Sequence, residues 1–426
     1  MEPAQVPTHP KRSYSAWSLA RNAMFGTPWG RAWRKAEPKS HYDVVIIGGG
    51  GHGLATAFHL ARDHGVRNIA VIEKGWLGGG NTGRNTTVVR SDYYYTTSSR
   101  FFDRSVKLYE TLSKTLNFNI MFSQRGILNV FHHRDDRAGW LRLVNAMQLN
   151  GVNAELLDRE QTLAYCPILN ADPNARFPIQ GAFLQEEGGT VRHDAVAWGY
   201  ARAADAMGVD IIEECEVRAI SRSANGNISG LTTTRGDIST GKVAVMAASG
   251  SDRLCEMAGF RLPVSHLTLQ AFVSEPLKPV LDCVVASSGT GVYLSQSDKG
   301  GIVAGGSTDV FTSFARRGNF GTMESVLSGI VDFIPQFSRL KLLRQWSGTV
   351  DYTYDSSPIM GLSPVPGLYL NCCWGGGGFK AIPAGGETMA ATIANDAPHS
   401  LIEAFSIDRF RTGALVDEAA AAGIEH

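Results

Sequence analysis

Cysteine is scarce and unpatterned. The chain has six in 426 residues (Cys166, Cys215, Cys255, Cys283, Cys372 and Cys373) and no Cys-x-x-Cys pair. This excludes a zinc ribbon or a disulfide framework and suits a reduced compartment, so a cytoplasmic location is expected. Net charge is missing too: forty Lys and Arg balance forty Asp and Glu. Without a basic field, nucleic acid is not an expected partner. No apolar run approaches the ~18 residues needed to cross a bilayer, which argues against a membrane partner. No isolated cluster of His, Cys and carboxylates calls for a metal. Acids are nearly absent from residues 1–40, where only Glu2 and Glu37 accompany seven Lys and Arg and three of the eight tryptophans. No continuous apolar core follows those charges, so a secretory signal does not fit. The large aromatics and Pro28-Trp29-Gly30 also argue against an organelle transit segment. An arm that packs on a partner chain, anchored by Trp17, Trp29 and Trp33, fits the composition, with a flexible tail as the alternative.

What is present describes a globular α/β chain long enough for two cores, with 43% hydrophobic and 19% charged residues. Residues 43–74 organise it. Val44–Ile47 is a short β-branched run with no polar break, as a central parallel strand buried on both faces requires. It enters Gly48-x-Gly50-x-x-Gly53, a helical stretch over Leu54–Asp63, a turn at His64-Gly65, and a second strand, Ile69–Ile72, that ends on Glu73. In this order the glycines allow a tight turn, close approach to a pyrophosphate and close helix-on-strand packing. Phosphates would meet the helix N-terminus, and Glu73 could take ribose hydroxyls. The motif alone does not choose between FAD and NAD.

Later stretches fit a flavin. Gly78-Gly79-Gly80-Asn81-Thr82-Gly83-Arg84-Asn85-Thr86-Thr87-Val88-Val89-Arg90 is a glycine- and amide-rich loop able to wrap a planar cofactor. Arg90 follows a β-like run; it either forks onto a substrate carboxylate or is a structural arginine. Leu108, Leu112 and Leu116, and then Leu141, Val144 and Met147, are apolar helix stripes expected in the core. Asp194 is a candidate N-cap, with His193 just before a helix start; by position alone, such a histidine is a hydrogen-bonding or exposed residue. Asn225-Gly226 marks a hairpin, and residues 255–345 read as a separate β-rich unit with a helix near 322–334. Trp374-Gly375-Gly376-Gly377-Gly378-Phe379-Lys380 is a second glycine loop before a helix near 385–395. Lys380 is either solvated or set beside a flavin ring.

Together these residues resemble the D-amino-acid oxidase/glycine oxidase family of FAD amine oxidoreductases, and within it the heterotetrameric sarcosine oxidases. The resemblance runs from Asp43-Val-Val-Ile-Ile-Gly-Gly-Gly-Gly-His52-Gly through Arg84-Asn85-Thr86-Thr87 and His193-Asp194-x-Val-Ala-Trp198 to Trp374-Gly-x-Gly-Gly-Phe-Lys380. It implies a Rossmann-like FAD domain of the glutathione-reductase type plus an α+β substrate domain with a large antiparallel sheet. The FAD domain would be discontinuous, over residues 41–100, 175–254 and 345–400. The substrate domain would take 101–174 and 255–344, leaving 1–40 as an arm and 401–426 as a C-terminal tail. By resemblance, noncovalent FAD is held by Gly48, Gly50, Gly51, His52, Gly53, Glu73, Asn81, Thr86, Val88 and Val217, with Gly375 and Gly378. His193 matches a histidine that carries FMN covalently at the contact with an α subunit. Arg192, where the family usually has Lys, would meet FMN. Arg90 and Lys380 match the pair that binds the substrate carboxylate, with Lys380 also a possible FMN contact. Ala248-Ser249-Gly250 departs from a Gly-Ala-Gly tendency. The implied activity is oxidative demethylation of sarcosine to glycine, with hydrogen peroxide and formaldehyde or 5,10-methylenetetrahydrofolate, in a complex with α, γ and δ subunits. The alternatives are a stand-alone FAD oxidase or dehydrogenase of another N-methyl amino acid, such as dimethylglycine, and an assembly subunit with a vestigial flavin site.

Overall fold

The computed structural model describes residues 15–25, 31–309 and 311–416. Its centre is a six-stranded sheet in the order Ile359–Leu362, Leu368–Cys372, Val243–Val245, Val44–Ile47, Ile69–Ile72, Asp210–Ile212. Neighbours are parallel except the first pair. Val44–Ile47 is buried along its whole length, as its unbroken apolar run requires. Val44 and Ile46 join a core with the helices, whereas Val45 and Ile47 join a second core on the other face. That second core includes Ile220, Leu231 and Ile238 from an antiparallel meander of Val217–Arg222, Ile228–Thr233 and Gly236–Ser239. The Asn225-Gly226 turn closes its first hairpin, with Ser223 N donating to Asn227 O at 2.8 Å.

The helix Gly51–Asp63 leaves the first strand through Gly48, whose φ of +122° excludes a side chain. A Cβ there would lie 2.3 Å from Met246 O, and one on Gly53 would lie 2.0 Å from Gly48 O. The turn therefore needs glycine both for its torsion and for its closeness to the strand.

An eight-stranded sheet stands beside this unit, ordered Leu342–Tyr352, Ser265–Pro276, Gly301–Thr308, Val292–Gln296, Val284–Ser287, Ile127–Phe131, Gly181–Gln185, Glu155–Asp158. It is antiparallel except for the parallel pair Val284–Ser287 with Ile127–Phe131. One face packs on the helix Phe320–Phe333 through Leu128, Val130, Phe272, Val326 and Phe333. The other face bounds the site described below. A small sheet of Val88–Val89, Gly189–Thr190 and Ser123–Gln124 links the two units.

Several expected boundaries shift. Gly181–Gln185 and Leu342–Tyr352 pair into the eight-stranded sheet, although 175–254 and 345–400 were expected with the nucleotide unit. Conversely, the helix Thr96–Thr115 buries Phe101, Phe102, Val106, Tyr109 and Leu112 in the nucleotide-side core. Both sheets have buried strands of similar composition, so pairing partners decide membership. On the helix Asp136–Leu149 the buried stripe is Trp140, Leu143, Val144 and Met147; Leu141 faces solvent. The helix His193–Ala206 starts two residues earlier than an Asp194 cap would set it, with Arg192 at the cap position, because Asp194 is held by Arg192 and by the Ala195 amide. Residues 401–416 are no tail: Ile402 and Phe405 lie in the core, and buried Arg409 forks onto buried Asp355 at 2.7 and 3.0 Å. In the arm, Trp33 packs on the chain's own core, while Trp17 stands exposed on a helix, Ala16–Phe25, with no buried residue. Trp29 lies outside the described residues.

Candidate active site

Two cavities border the first glycine loop, residues 78–90. The first, about 80 Å³, lies between the eight-stranded sheet and the two glycine loops, and its walls include Thr86, Val88, Arg90, Asn129, Gly376, Phe379 and Lys380. Arg90 and Lys380, far apart in sequence, meet here. The strand Val88–Val89, paired to Gly189–Thr190, delivers Arg90. The second glycine loop and the helix Ile382–Asn395 deliver Lys380.

The two cations differ. Arg90 is buried and ion-paired to Asp92, with its guanidinium 5.5 Å from the Tyr93 ring centroid. Burial works against its charge, but Asp92 prevails and the pKa is raised, so Arg90 is a fixed cation. Lys380 is 5% exposed, with its ammonium 5.4 Å from the Tyr93 ring and 5.8 Å from the Phe102 ring. Burial first, and Arg90 second, hold its pKa well below the ordinary lysine value. A substrate anion placed between them would offset the burial of Lys380 and its repulsion from Arg90.

A polar relay fixes the second loop to the first turn. Trp374 Nε1 donates to Asn371 Oδ1 at 2.7 Å, which turns Asn371 Nδ2 toward His52 Nδ1 at 3.2 Å. His52 Nε2 must then donate to Gly378 O, at 2.8 Å. Trp374 stacks on the imidazole at 4.7 Å. Burial lowers the His52 pKa to about 4, keeping the ring neutral. Gly375 sits at φ +51°, where a Cβ would meet the Tyr352 ring at 2.6 Å.

On the turn itself, Glu73 accepts from Gly49 N at 2.9 Å and from Gly75 N at 2.8 Å. Thr82 Oγ1 accepts from Gly51 N at 3.0 Å, close beside Gly50. The side-chain oxygens of Glu73 and Thr82 thus occupy donors of a kind that a phosphate could use, and the side-chain-free run Gly48 to Gly51 fits a dinucleotide. Asn81 braces the loop by donating to Thr349 O at 2.7 Å, and Thr86 donates to Tyr293 Oη at 3.1 Å. Val217 is buried at the start of the meander.

His193 is elsewhere. It lines a second cavity of about 300 Å³ with Trp33, Trp76, Trp198, Thr82 and Glu213. Its Nδ1 is buried without a hydrogen-bond partner among the described residues, and burial lowers its pKa, so the ring favours the neutral form, with a lone pair to offer. A neutral imidazole among three tryptophans fits a planar aromatic group. Arg192 turns to Asp194 (3.0 Å) and Asp298 (3.8 Å) and does not line this cavity, and Lys380 belongs to the other one. Asp92, Tyr93, Asn129 and Tyr293 were not picked out from the sequence. Only Asn129 carried a signal there, as a lone amide in an apolar strand.

Residues 43–392 match the FAD dependent oxidoreductase family, and the chain belongs to it. A relative from Rhizobium meliloti (strain 1021), named sarcosine oxidase subunit beta, is 52% identical over 95% of this chain and 97% of its own length. One of the same name from Rhodobacter capsulatus is 47% identical over 97% and 100%. Among solved structures, L-proline dehydrogenase from P. horikoshii superposes with a TM-score of 0.84 at 26% identity, covering 89% of this chain and all of that one. Among the described residues no helix is long and apolar enough to cross a membrane.

Proposed function

We propose that this chain is the β subunit of a heterotetrameric sarcosine oxidase, a cytoplasmic enzyme that demethylates sarcosine to glycine. The observation that carries the reading is the convergence of Arg90 and Lys380 on one buried cavity beneath both glycine loops. FAD would be held noncovalently by Gly48, Gly50, Gly51, Gly53 and Glu73, with Asn81, Thr86, Val88, Val217 and the His52-braced loop Gly375 to Gly378. Bound there, FAD supplies two-electron oxidation of an amine C–H.

The chain's own residues do the rest. Arg90 and Lys380 clamp the substrate carboxylate and orient the N-methyl group, and positioning of this kind contributes several kcal/mol to rate. The same positive pair disfavours the ammonium form of the substrate and so favours the neutral amine that oxidation requires. Asp92 aims Arg90, while Ile127, Leu269, Val284 and Phe379 exclude water from the cavity.

FMN would be tethered to His193, in the neighbouring tryptophan-lined cavity, where the α subunit closes over it. Trp76, which lines that cavity, and Trp17 are both exposed, and they would serve such a partner-facing surface. Tetrahydrofolate would act in the α subunit to capture the one-carbon unit, which is otherwise released as formaldehyde, with hydrogen peroxide as the reduced product of oxygen. The γ and δ subunits complete the assembly. The test is intact mass and visible spectroscopy of the chain co-purified with its partners. An FMN adduct on the His193 peptide is expected, along with anaerobic bleaching by sarcosine. His193→Ala should abolish the adduct and leave FAD bound. If denaturation frees all the pigment, the tether is refuted; a colourless folded protein refutes the enzyme.

A further inference from the structure

The strand Ile127–Phe131 alternates strictly. Leu128 and Val130 enter the core behind the sheet, and Ile127 and Asn129 face the Arg90–Lys380 cavity. The neighbouring strand repeats the pattern, with Val284 and Ala286 lining the cavity and Val285 in the core. On this otherwise apolar wall Asn129, paired across the sheet with Ala286 and Phe183, is 2% exposed. An amide buried in an apolar strand is costly unless both its ends are used.

Only one end is used. Asn129 Nδ2 faces Asp92 Oδ2 at 3.5 Å, and because a carboxylate can only accept, that end must be the NH₂. Its Oδ1 is buried with no hydrogen-bond partner among the described residues. Nearby polar groups are engaged: Asp92 holds Arg90, Gln185 Nε2 donates to Ser91 Oγ at 2.6 Å, and Thr86 donates to Tyr293. One wall of the cavity thus offers a fixed cation, through Asp92, and an unused acceptor. An amino acid with an anionic carboxylate and an uncharged N–H would complement both.

We propose that Asn129 Oδ1 accepts the N–H of the substrate's neutral amine and so selects secondary over tertiary N-methyl amino acids. The inference rests on the reading of this cavity as an N-methyl amino acid site. Neutral sarcosine has one N–H to give. Neutral N,N-dimethylglycine has none, and would set a methyl group against a carbonyl left unpaired, which is the situation in which polar sites discriminate most strongly.

The test uses the flavin-loaded complex and the variant Asn129→Leu, which keeps the branched heavy-atom outline and removes the acceptor, along with the donor to Asp92. For anaerobic flavin reduction, kcat/KM for sarcosine should fall about tenfold to a hundredfold, while that for N,N-dimethylglycine stays within about twofold, so the ratio collapses. Separately, calorimetry on the wild-type complex compares two unreactive planar acids, pyrrole-2-carboxylate, which has an N–H, and furan-2-carboxylate, which has an oxygen there. The first should bind about tenfold or more tighter, and the preference should vanish in the variant. An equal fall for both substrates overturns the proposal, as does equal wild-type affinity for the two acids, which needs no variant to fold. If the wild type binds neither acid and no N-methyl amino acid bleaches it, the reading of the cavity itself falls, an outcome distinct from a failure of Asn129 alone.

Discussion

Replacing Lys380 by methionine should move stability and substrate use in opposite directions. In the fold the ammonium is 5% exposed between two aromatic rings. Burial and Arg90 hold its pKa well below the ordinary value. In the unfolded chain the same amine stays protonated up to about pH 10.4. A base with a depressed folded pKa destabilises the fold below its unfolded pKa, and more so as pH falls toward the folded one, because each proton favours the unfolded chain. Methionine keeps the aliphatic body and removes the charge, so the substrate-free variant should melt higher than wild type near neutral pH. Substrate use should suffer. A charge-assisted contact to a carboxylate contributes about 1.5–3 kcal/mol, which is about 10- to 150-fold in kcat/KM for sarcosine. Wild-type affinity for the acid should also weaken as pH rises through the lowered Lys380 pKa, and that limb should be absent from the variant. The assays are differential scanning fluorimetry without substrate and anaerobic stopped-flow reduction over a pH series. A variant that melts lower and keeps wild-type kcat/KM would refute the argument on both counts.

Other outcomes follow from single groups. His52 is neutral in the fold, with a pKa of about 4. The unfolded residue takes a proton below about pH 6.5, so stability is complete above that pH and lost on acidification toward 4. Going from about pH 7.5 to 5, this one ring should cost about 2 kcal/mol in urea denaturation, and His52→Gln should show a shallower acid limb than wild type. Asp351 has the opposite sign. Burial raises its pKa to about 6, so its ionisation destabilises the fold as pH rises from about 4 through 6, and Asp351→Asn should gain stability near neutrality in the same assay. The amide oxygen can still accept from Cys373 N, now 2.8 Å from Asp351 Oδ2. Ala248 sits at φ +47°, a conformation that costs a side chain about 1–2 kcal/mol. Ala248→Gly should relieve it and, after the entropy of glycine, raise stability by about 0.5–1 kcal/mol, read as a higher Tm.

The amino-acid sequence by itself determined the parts governed by short-range sterics and periodicity. The strand at Val44–Ile47, the turn at Gly48, the helix after it and the Asn225-Gly226 hairpin follow from neighbouring residues alone. So does the glycine loop before Ile382–Asn395. Resemblance then attached roles to Arg90, Lys380 and His193 without saying how they lie in space. Only the tertiary structure decided that Arg90 and Lys380 share a cavity while His193 opens on another, that Arg192 spends its charge on Asp194 and Asp298, and that residues 401–416 close the core. It also assigned Gly181–Gln185 and Leu342–Tyr352 to the second sheet. Chain-local sterics act over a few residues and leave a pattern that can be read in order. Ion pairing, desolvation and strand partnership act between residues tens to hundreds of positions apart. A buried carboxamide such as Asn129 acquires its unused oxygen only once the fold has placed Asp92 against its other end.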